Sequence, residues 1–310
     1  MIYKKIVFVF LLSFTAKSLL ALPNGDDKKF QKKPLKRIVI DAGHGGSSSF
    51  AGKFYGASSK FGEEKDITLS VALKLQEAIK NEIPDVDVIM TRTSDIFDSP
   101  IIKANKANDA KGDLFISIHC NDVSPIVHHE IIGYTTKTVK RKGKKTTKKI
   151  PKYHIYTTPN PAKGTETYIW GVGKTKDKED ALIENDFIDT TSGDLKGFDP
   201  NDPVQKVEIS LRTQQYFERS RKLAETVEEE FVKGGRTSRG AKQRDEKGIW
   251  VLQAVNMPAI LIEIGFLSND DEGEYITSEK GQQEIAASIV QAIKRYKFSL
   301  DNKMQNGSKG

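Results

Sequence analysis

A single cysteine, Cys120, among 310 residues means that no intrachain disulfide can form, so an oxidising compartment adds nothing to stability by that route. For the same reason a lipid-anchored cysteine at a mature N-terminus is not expected. Long apolar runs are missing too. The nearest approach, in "MIYKKIVFVFLLSFTAKSLLALPNG", is broken at Lys17 and is too short for a membrane span. Lys4 and Lys5 ahead of that run, with Ala16, Ser18 and Ala21 as small residues for cleavage, make a signal-peptide pattern over residues 1–22, followed by a polar linker at 23–34. The expectation is an exported, periplasmic protein with no transmembrane anchor after signal cleavage.

Acidic residues are absent from residues 137–152, "KTVKRKGKKTTKKIPK", which hold nine Lys or Arg and so more than account for the formal net charge of +7. Such a run reads either as a solvated loop or as a contact for a polyanion such as envelope phosphate. Aromatic residues do not interleave with these cations, so no nucleic-acid partner is expected. No internal repeat is present. A hydrophobic content of 37% is enough for one large domain or two small ones.

Short β-branched runs alternate with helical patterns. "LKRIVI", "VDVIMTR" and "DLFISIHCN" read as strands; "EEKDITLSVALKLQEAIKNE" and "PIIKANKANDA" read as helices between them. This alternation predicts an α/β fold: a single domain with a mostly parallel or mixed central sheet flanked by helices. Residues 122–164 break the rhythm with the basic run and four prolines and read as an insertion. "GTETYIWGV", "GIWVL" and "AILIEIGF" read as further strands, and residues 174–209 as irregular. A long helix over "SLRTQQYFERSRKLAETVEEEFVKGG" would bury Leu211, Tyr216, Leu223, Val227 and Phe231. A C-terminal helix is expected at about 278–297, then a disordered tail at 299–310.

Only five histidines occur, and two of them, His44 in "IDAGHGG" and His119 in "ISIHCN", fall at carboxyl ends of expected strands, where open α/β sheets bind ligands. Paired strand-end imidazoles suggest a metal. A third ligand is open between Glu63 and Glu64 at a helix start, where a carboxylate also suits the helix dipole. Glu263 interrupts the otherwise apolar "AILIEIGF", so it needs a metal, a donor or water as a partner. "GHGG" also resembles a phosphate-binding nest but lacks the Lys-Ser/Thr ending of a P-loop.

Taken in order, "IVIDAGHGG", "GEEKDITL", "TRTSD", "LFISIHCN", "GTETYIW" and "MPAILIEIGFLSN" resemble the zinc-dependent N-acetylmuramoyl-L-alanine amidases of the amidase_3 family, over about residues 36–296. The resemblance implies a catalytic domain at 35–298 with one Zn2+ on His44, Glu64 and His119, and with Glu263 as the catalytic acid and base. Its substrate would be the amide between N-acetylmuramic acid and L-alanine in peptidoglycan. Asp41 would orient a ligand from behind. Cys120 should face away from His119 by strand alternation. Periplasmic cell-division members carry a region that folds over the zinc until an activator protein displaces it. Residues 174–230 occupy the matching place, and Glu184 or Glu208 would offer the blocking carboxylate. The rival readings are a zinc peptidase cutting within stem peptides and a non-catalytic wall-binding protein.

Overall fold

The computed structural model describes residues 34–46, 56–141, 144–187 and 197–307, and residues from Pro34 onward form one compact unit. The expected signal peptide, nearly all of the linker and the centre of the loop after His44 lie outside the described residues.

A six-stranded mixed sheet organises the unit. Its strands are β1 (Arg37–Ala42), β4 (Asp87–Met90), β5 (Leu114–Asn121), β8 (Thr165–Ile169), β9 (Ser238–Gln243) and β10 (Ala259–Phe266), in the order β4-β1-β5-β10-β8-β9; β2 (Ser58–Ser59) and β3 (Gly62–Glu63) pair separately, and α6 (Asp270–Thr277) follows β10. The first four in that order run parallel; β8 is antiparallel to β10, and β9 parallel to β8. Both faces of the sheet are covered, which is why β1, β5 and β10 read as nearly continuous apolar runs. On one face Ile38, Ile40, Ile116, Ile118 and Cys120 pack under α1 (Glu64–Glu82), the end of α4 (Pro203–Lys233) and α7 (Glu279–Gly307). On the other, Val39, Phe115 and Leu261 meet α2 (Pro100–Asp109) and the short α5 (Trp250–Ala254). Cys120 thus lies in the core on the face opposite to the ring of His119, as strand alternation requires.

Four segments differ from expectation. "GIWVL" is not a strand: the chain turns at Gly248 and coils into α5, burying Val251 and Leu252, a pattern that a short apolar run does not distinguish from a strand. The missing edge strand is β9, "SRGAKQ", whose polar composition protects an exposed edge and carries no hydrophobic signal. Residues 174–209 are largely helical, with α3 (Thr175–Phe187) and an early start to α4; Leu211 is exposed, and Ile209 and Thr213 take the buried positions. Helix α7 continues to Gly307, through most of the expected disordered tail.

The basic insertion is regular as well. Its strands β6 (Ile126–Arg141) and β7 (Lys144–Thr158) form an antiparallel hairpin that, among the described residues, pairs with no other strand. Pro151 is tolerated in β7 because a two-stranded ribbon is all edge.

Candidate metal centre

Strand β1 delivers the chain to a tight corner at the carboxyl edge of the sheet. Gly43 N–H donates to the Ile118 carbonyl at 2.9 Å, and the chain then takes three successive positive φ angles: +56° at His44, +127° at Gly45 and +78° at Gly46. Only His44 has a side chain to strain there, a cost of about 1–3 kcal/mol that its surroundings must offset. Gly43 is required for a different reason. A Cβ on it would lie 2.6 Å from both His119 Cε1 and the Ile118 oxygen, so any larger residue would push His119 aside.

A buried cationic network holds this corner. Arg92 donates to the carbonyls of Ala42 at 3.1 Å, Gly43 at 2.8 Å and Lys65 at 2.7 Å, tying the end of β1 to the first turn of α1. Lys103 Nζ donates to the Ala42 carbonyl at 2.6 Å and pairs with Asp41 at 2.9 Å. Asp41 also accepts from Thr91 and Ser117 hydroxyls, each at 2.7 Å. Burial alone would raise its carboxyl, but Lys103 and these hydroxyls outweigh it and hold it below the ordinary 3.8. The described contacts of Asp41 are therefore to Lys103, Thr91 and Ser117, and its hold on the site passes through the backbone that carries His44.

Glu64 opens α1 directly beneath the corner. Its Oε2 lies 3.1 Å from His44 Nε2 and its Oε1 lies 3.0 Å from His119 Nδ1, with the two rings edge to face at 4.9 Å between centroids. One ligand atom from each of the three residues can be chosen so that all lie within 4.8 Å of one another. Backbone N–H groups of Ala57 (2.7 Å) and Cys120 (3.0 Å) fix the carboxylate. Burial works against its charge, but the hydrogen bonds with His119 and His44 outweigh it and keep the carboxyl ionised far below the usual range. Glu63, the sequence alternative, points to solvent and pairs with Lys65. Two imidazoles and one carboxylate so converged form a three-donor set of the kind that could hold a divalent metal ion.

Glu263 lies on β10 in register with His119 on β5. It is nine-tenths buried, and its Oε2 has no hydrogen-bond partner among the described residues. Burial first, then the nearby charge of Glu64, pushes its carboxyl up to about 8, against a smaller opposing pull from Arg244. Next to it on β8, Glu166 has the opposite fate. It accepts from Lys242 at 2.6 Å, Tyr168 at 2.6 Å, Asn121 at 3.2 Å and Arg239, which together outweigh its burial and bring its carboxyl down to about 2. Two neighbouring glutamates are thus driven apart, Glu166 held charged by its cations and Glu263 raised by burial.

Glu184 and Glu208 are not brought to this cluster. Asn185, beside Glu184, contacts Asn108 and the Ala254 carbonyl, at the carboxyl ends of the helices α2 and α5 that lead into β5 and β10. Glu208 pairs with Arg212, which also grips Asp186, and Asp186 bonds Asn256 at that same far edge. It lies 20 residues along α4 from Glu228, which meets Thr165 near the site edge, a separation of roughly 30 Å at helical rise. The sequence reading did not single out Arg92, Lys103, Glu166 or Lys242 as site residues. Glu166 carried a usable signal, an acid within the buried run "TETYI", the same signal that marked Glu263.

Residues 38–295 match the family model Amidase_3, described as N-acetylmuramoyl-L-alanine amidase. The chain belongs to that family. Among curated proteins it is similar to the N-acetylmuramoyl-L-alanine amidase AmiC of Escherichia coli O6:H1, at 30% identity over 260 residues, which is 84% of this chain and 52% of AmiC. The chain therefore spans about half the length of that relative. Among solved structures it is similar to the N-acetylmuramoyl-L-alanine amidase from Clostridium difficile 630, at 25% identity and a TM-score of 0.51 over 85% of this chain and 97% of that one. The CwlD amidase from Clostridioides difficile, solved in complex with the GerS lipoprotein, shares the fold at 23% identity and a TM-score of 0.50, over 84% of this chain and 98% of that one.

Proposed function

We propose that the chain is a zinc hydrolase that cleaves the amide between N-acetylmuramic acid and L-alanine in peptidoglycan. The observation that carries this reading is the Glu64 carboxylate fixed between His44 and His119, with the unpartnered Oε2 of Glu263 on the adjacent strand. His44, Glu64 and His119 would hold the zinc. When bound, zinc supplies Lewis-acid polarisation of the lactyl carbonyl and makes water acidic enough to attack near neutral pH.

The rest of the chemistry belongs to the chain. Glu263 takes a proton from the attacking water as the new carbon–oxygen bond forms, and holds it on the carboxyl whose ordinary value burial has raised. It then gives that proton to the alanine nitrogen as the carbon–nitrogen bond breaks, leaving a lactyl carboxylate on the glycan and a free amine on the stem peptide. Glu166, kept charged by Lys242 and Arg239, holds the neighbouring strand in place without competing for the proton. Arg92 and Lys103 keep the His44 corner rigid, so the imidazole stays aligned through turnover.

The proposed setting is the periplasm, in wall remodelling and daughter-cell separation. A protein partner is part of the proposal, as CwlD has one; the far-edge contacts of Glu184 and Glu208 mean that it would act by some means other than lifting these residues from the centre. Mass spectrometry of peptidoglycan digested with and without a zinc chelator, beside Glu263→Ala, tests the reading. Intact stem peptides with a free L-alanine amino group, lost with chelator and in the variant, are expected. Peptides cut internally would move the assignment to a peptidase, and unchanged release by Glu263→Ala would remove Glu263 from the mechanism.

A further inference from the structure

The β6–β7 arm has fifteen cross-strand pairs, so it extends about 50 Å. Its strands follow β5 and precede β8, so both of its roots lie at the sheet edge that carries His119 and Glu166. A two-stranded ribbon of this length is marginally stable alone in water, and this one works against itself electrostatically. Lys137 stands directly opposite Lys148. Like charges directly opposed destabilise a hairpin unless anions neutralise them. Residues 126–158 hold nine Lys or Arg against the single acid Glu130, a net +8, and leave the rest of the chain at −1.

The root half of the arm has a different character. His128 stacks on Tyr156 at 4.8 Å, His154 on Tyr156 at 5.6 Å, and His129 meets Tyr153 edge to face at 5.8 Å. Tyr134, Ile131 and Ile155 are exposed beside them. Exposed rings and aliphatic groups next to a strongly cationic half make a surface for a ligand with both sugar-like faces and anionic groups.

We propose that this arm is a docking surface for the anionic peptidoglycan network, its lysines meeting stem-peptide carboxylates and its aromatic root meeting sugar rings on the way to the metal centre. The inference rests on the amidase reading for the identity of the polymer. Strand alternation puts Lys137, Lys148 and Lys152 on one face and Lys145 and Lys149 on the other. A flat lipid surface would neutralise one face only, whereas a polymer mesh reaches both. A second copy of the chain would bring +8 against +8.

The test is co-sedimentation of the full chain with purified sacculi across a salt series, beside a variant carrying Gln at Lys137, Lys145, Lys148, Lys149 and Lys152. All five are exposed, so the substitutions leave the core untouched. The expected result is at least tenfold weaker sacculus binding by the variant, a similar loss for the parent on sacculi whose carboxylates have been amidated, and unchanged cleavage of a soluble muramyl-peptide fragment. Equal binding by parent and variant would overturn the proposal. So would tighter parent binding to vesicles containing phosphatidylglycerol than to sacculi, with the variant released from vesicles alone. A parent that binds sacculi through these lysines yet cleaves no muramyl amide would instead refute the amidase reading and leave an anion-binding arm.

Discussion

Gly43→Ala tests the packing logic of the metal corner with the addition of one methyl group. Gly43 has no positive φ, so alanine meets no backbone strain there, and the whole effect comes from contact. The new Cβ would lie 2.6 Å from His119 Cε1, 2.7 Å from His119 Nε2 and 2.6 Å from the Ile118 oxygen, about 0.8 Å inside ordinary contact. The Ile118 oxygen accepts the Gly43 N–H and belongs to a central strand, so the ring must move more than the backbone does. Displacing a ligand from behind typically costs 10- to 100-fold in metal affinity. Overpacking of this size costs about 1–3 kcal/mol of stability. Zinc affinity is measured by competition with a chromophoric chelator, and stability by urea unfolding of the metal-free chain. Gly173→Ala is the control, since its Cβ meets nothing closer than 3.9 Å. Zinc affinity within twofold of the parent for Gly43→Ala would refute the claim that this glycine exists to seat His119.

Three further outcomes are expected. Lys103→Met leaves Asp41 buried without its ion pair and should cost about 3–5 kcal/mol in urea unfolding, and an effect below 1 kcal/mol would mean that the pair does not hold the corner. The Glu166 carboxyl lies at about 2 in the folded chain against 4.5 ordinarily, so its contribution is complete above pH 4.5 and is lost as pH falls toward 2. That amounts to up to about 3 kcal/mol, which Glu166→Gln should abolish in unfolding curves taken between pH 2 and 5. Glu263 has the reverse sign. Its folded value of about 8 lies above 4.5, so the unfolded chain gives up the proton first, and the metal-free fold loses stability as pH rises from 4.5 to 8; Glu263→Gln should gain up to about 3 kcal/mol at pH 7 while losing 100-fold or more in amide hydrolysis.

What was legible in the sequence was what local pattern encodes. The buried parallel strands β1, β5 and β10 show as β-branched runs, and His44, His119 and Glu263 stand out as candidates because an imidazole or an acid toward the carboxyl end of such a run is conspicuous. Choosing Glu64 over Glu63 was not a matter of local pattern, since both sit at a helix start; family resemblance made that choice, and the structure gives the reason in the N–H groups of Ala57 and Cys120. Other features were hidden by composition. The polar edge strand β9 and the Lys-rich hairpin both look like loops, because an exposed edge is protected by the same residues that fill loops. Arg92 and Lys103 were silent for another reason: a cation on a helix or at a strand end is ordinary, and only the carbonyls of Ala42 and Gly43 above them, set by distant chain segments, make these two exceptional.

Those carbonyls connect the costs of the site to the stability of the fold. His44 in a left-handed conformation and the buried Glu263 oxygen without a partner among the described residues each weaken the folded chain. They share a strand-end region with Arg92, which donates to the Ala42, Gly43 and Lys65 carbonyls, and with Lys103, which donates to the Ala42 carbonyl and pairs with Asp41. Removing the corner would leave Arg92 without its main acceptors and Lys103 with Asp41 alone, and removing the cations would free the corner to relax toward ordinary angles. Each therefore makes the other tenable, and the geometry that chemistry needs persists because the alternative is a buried guanidinium without its acceptors, which costs more than the strain it holds in place.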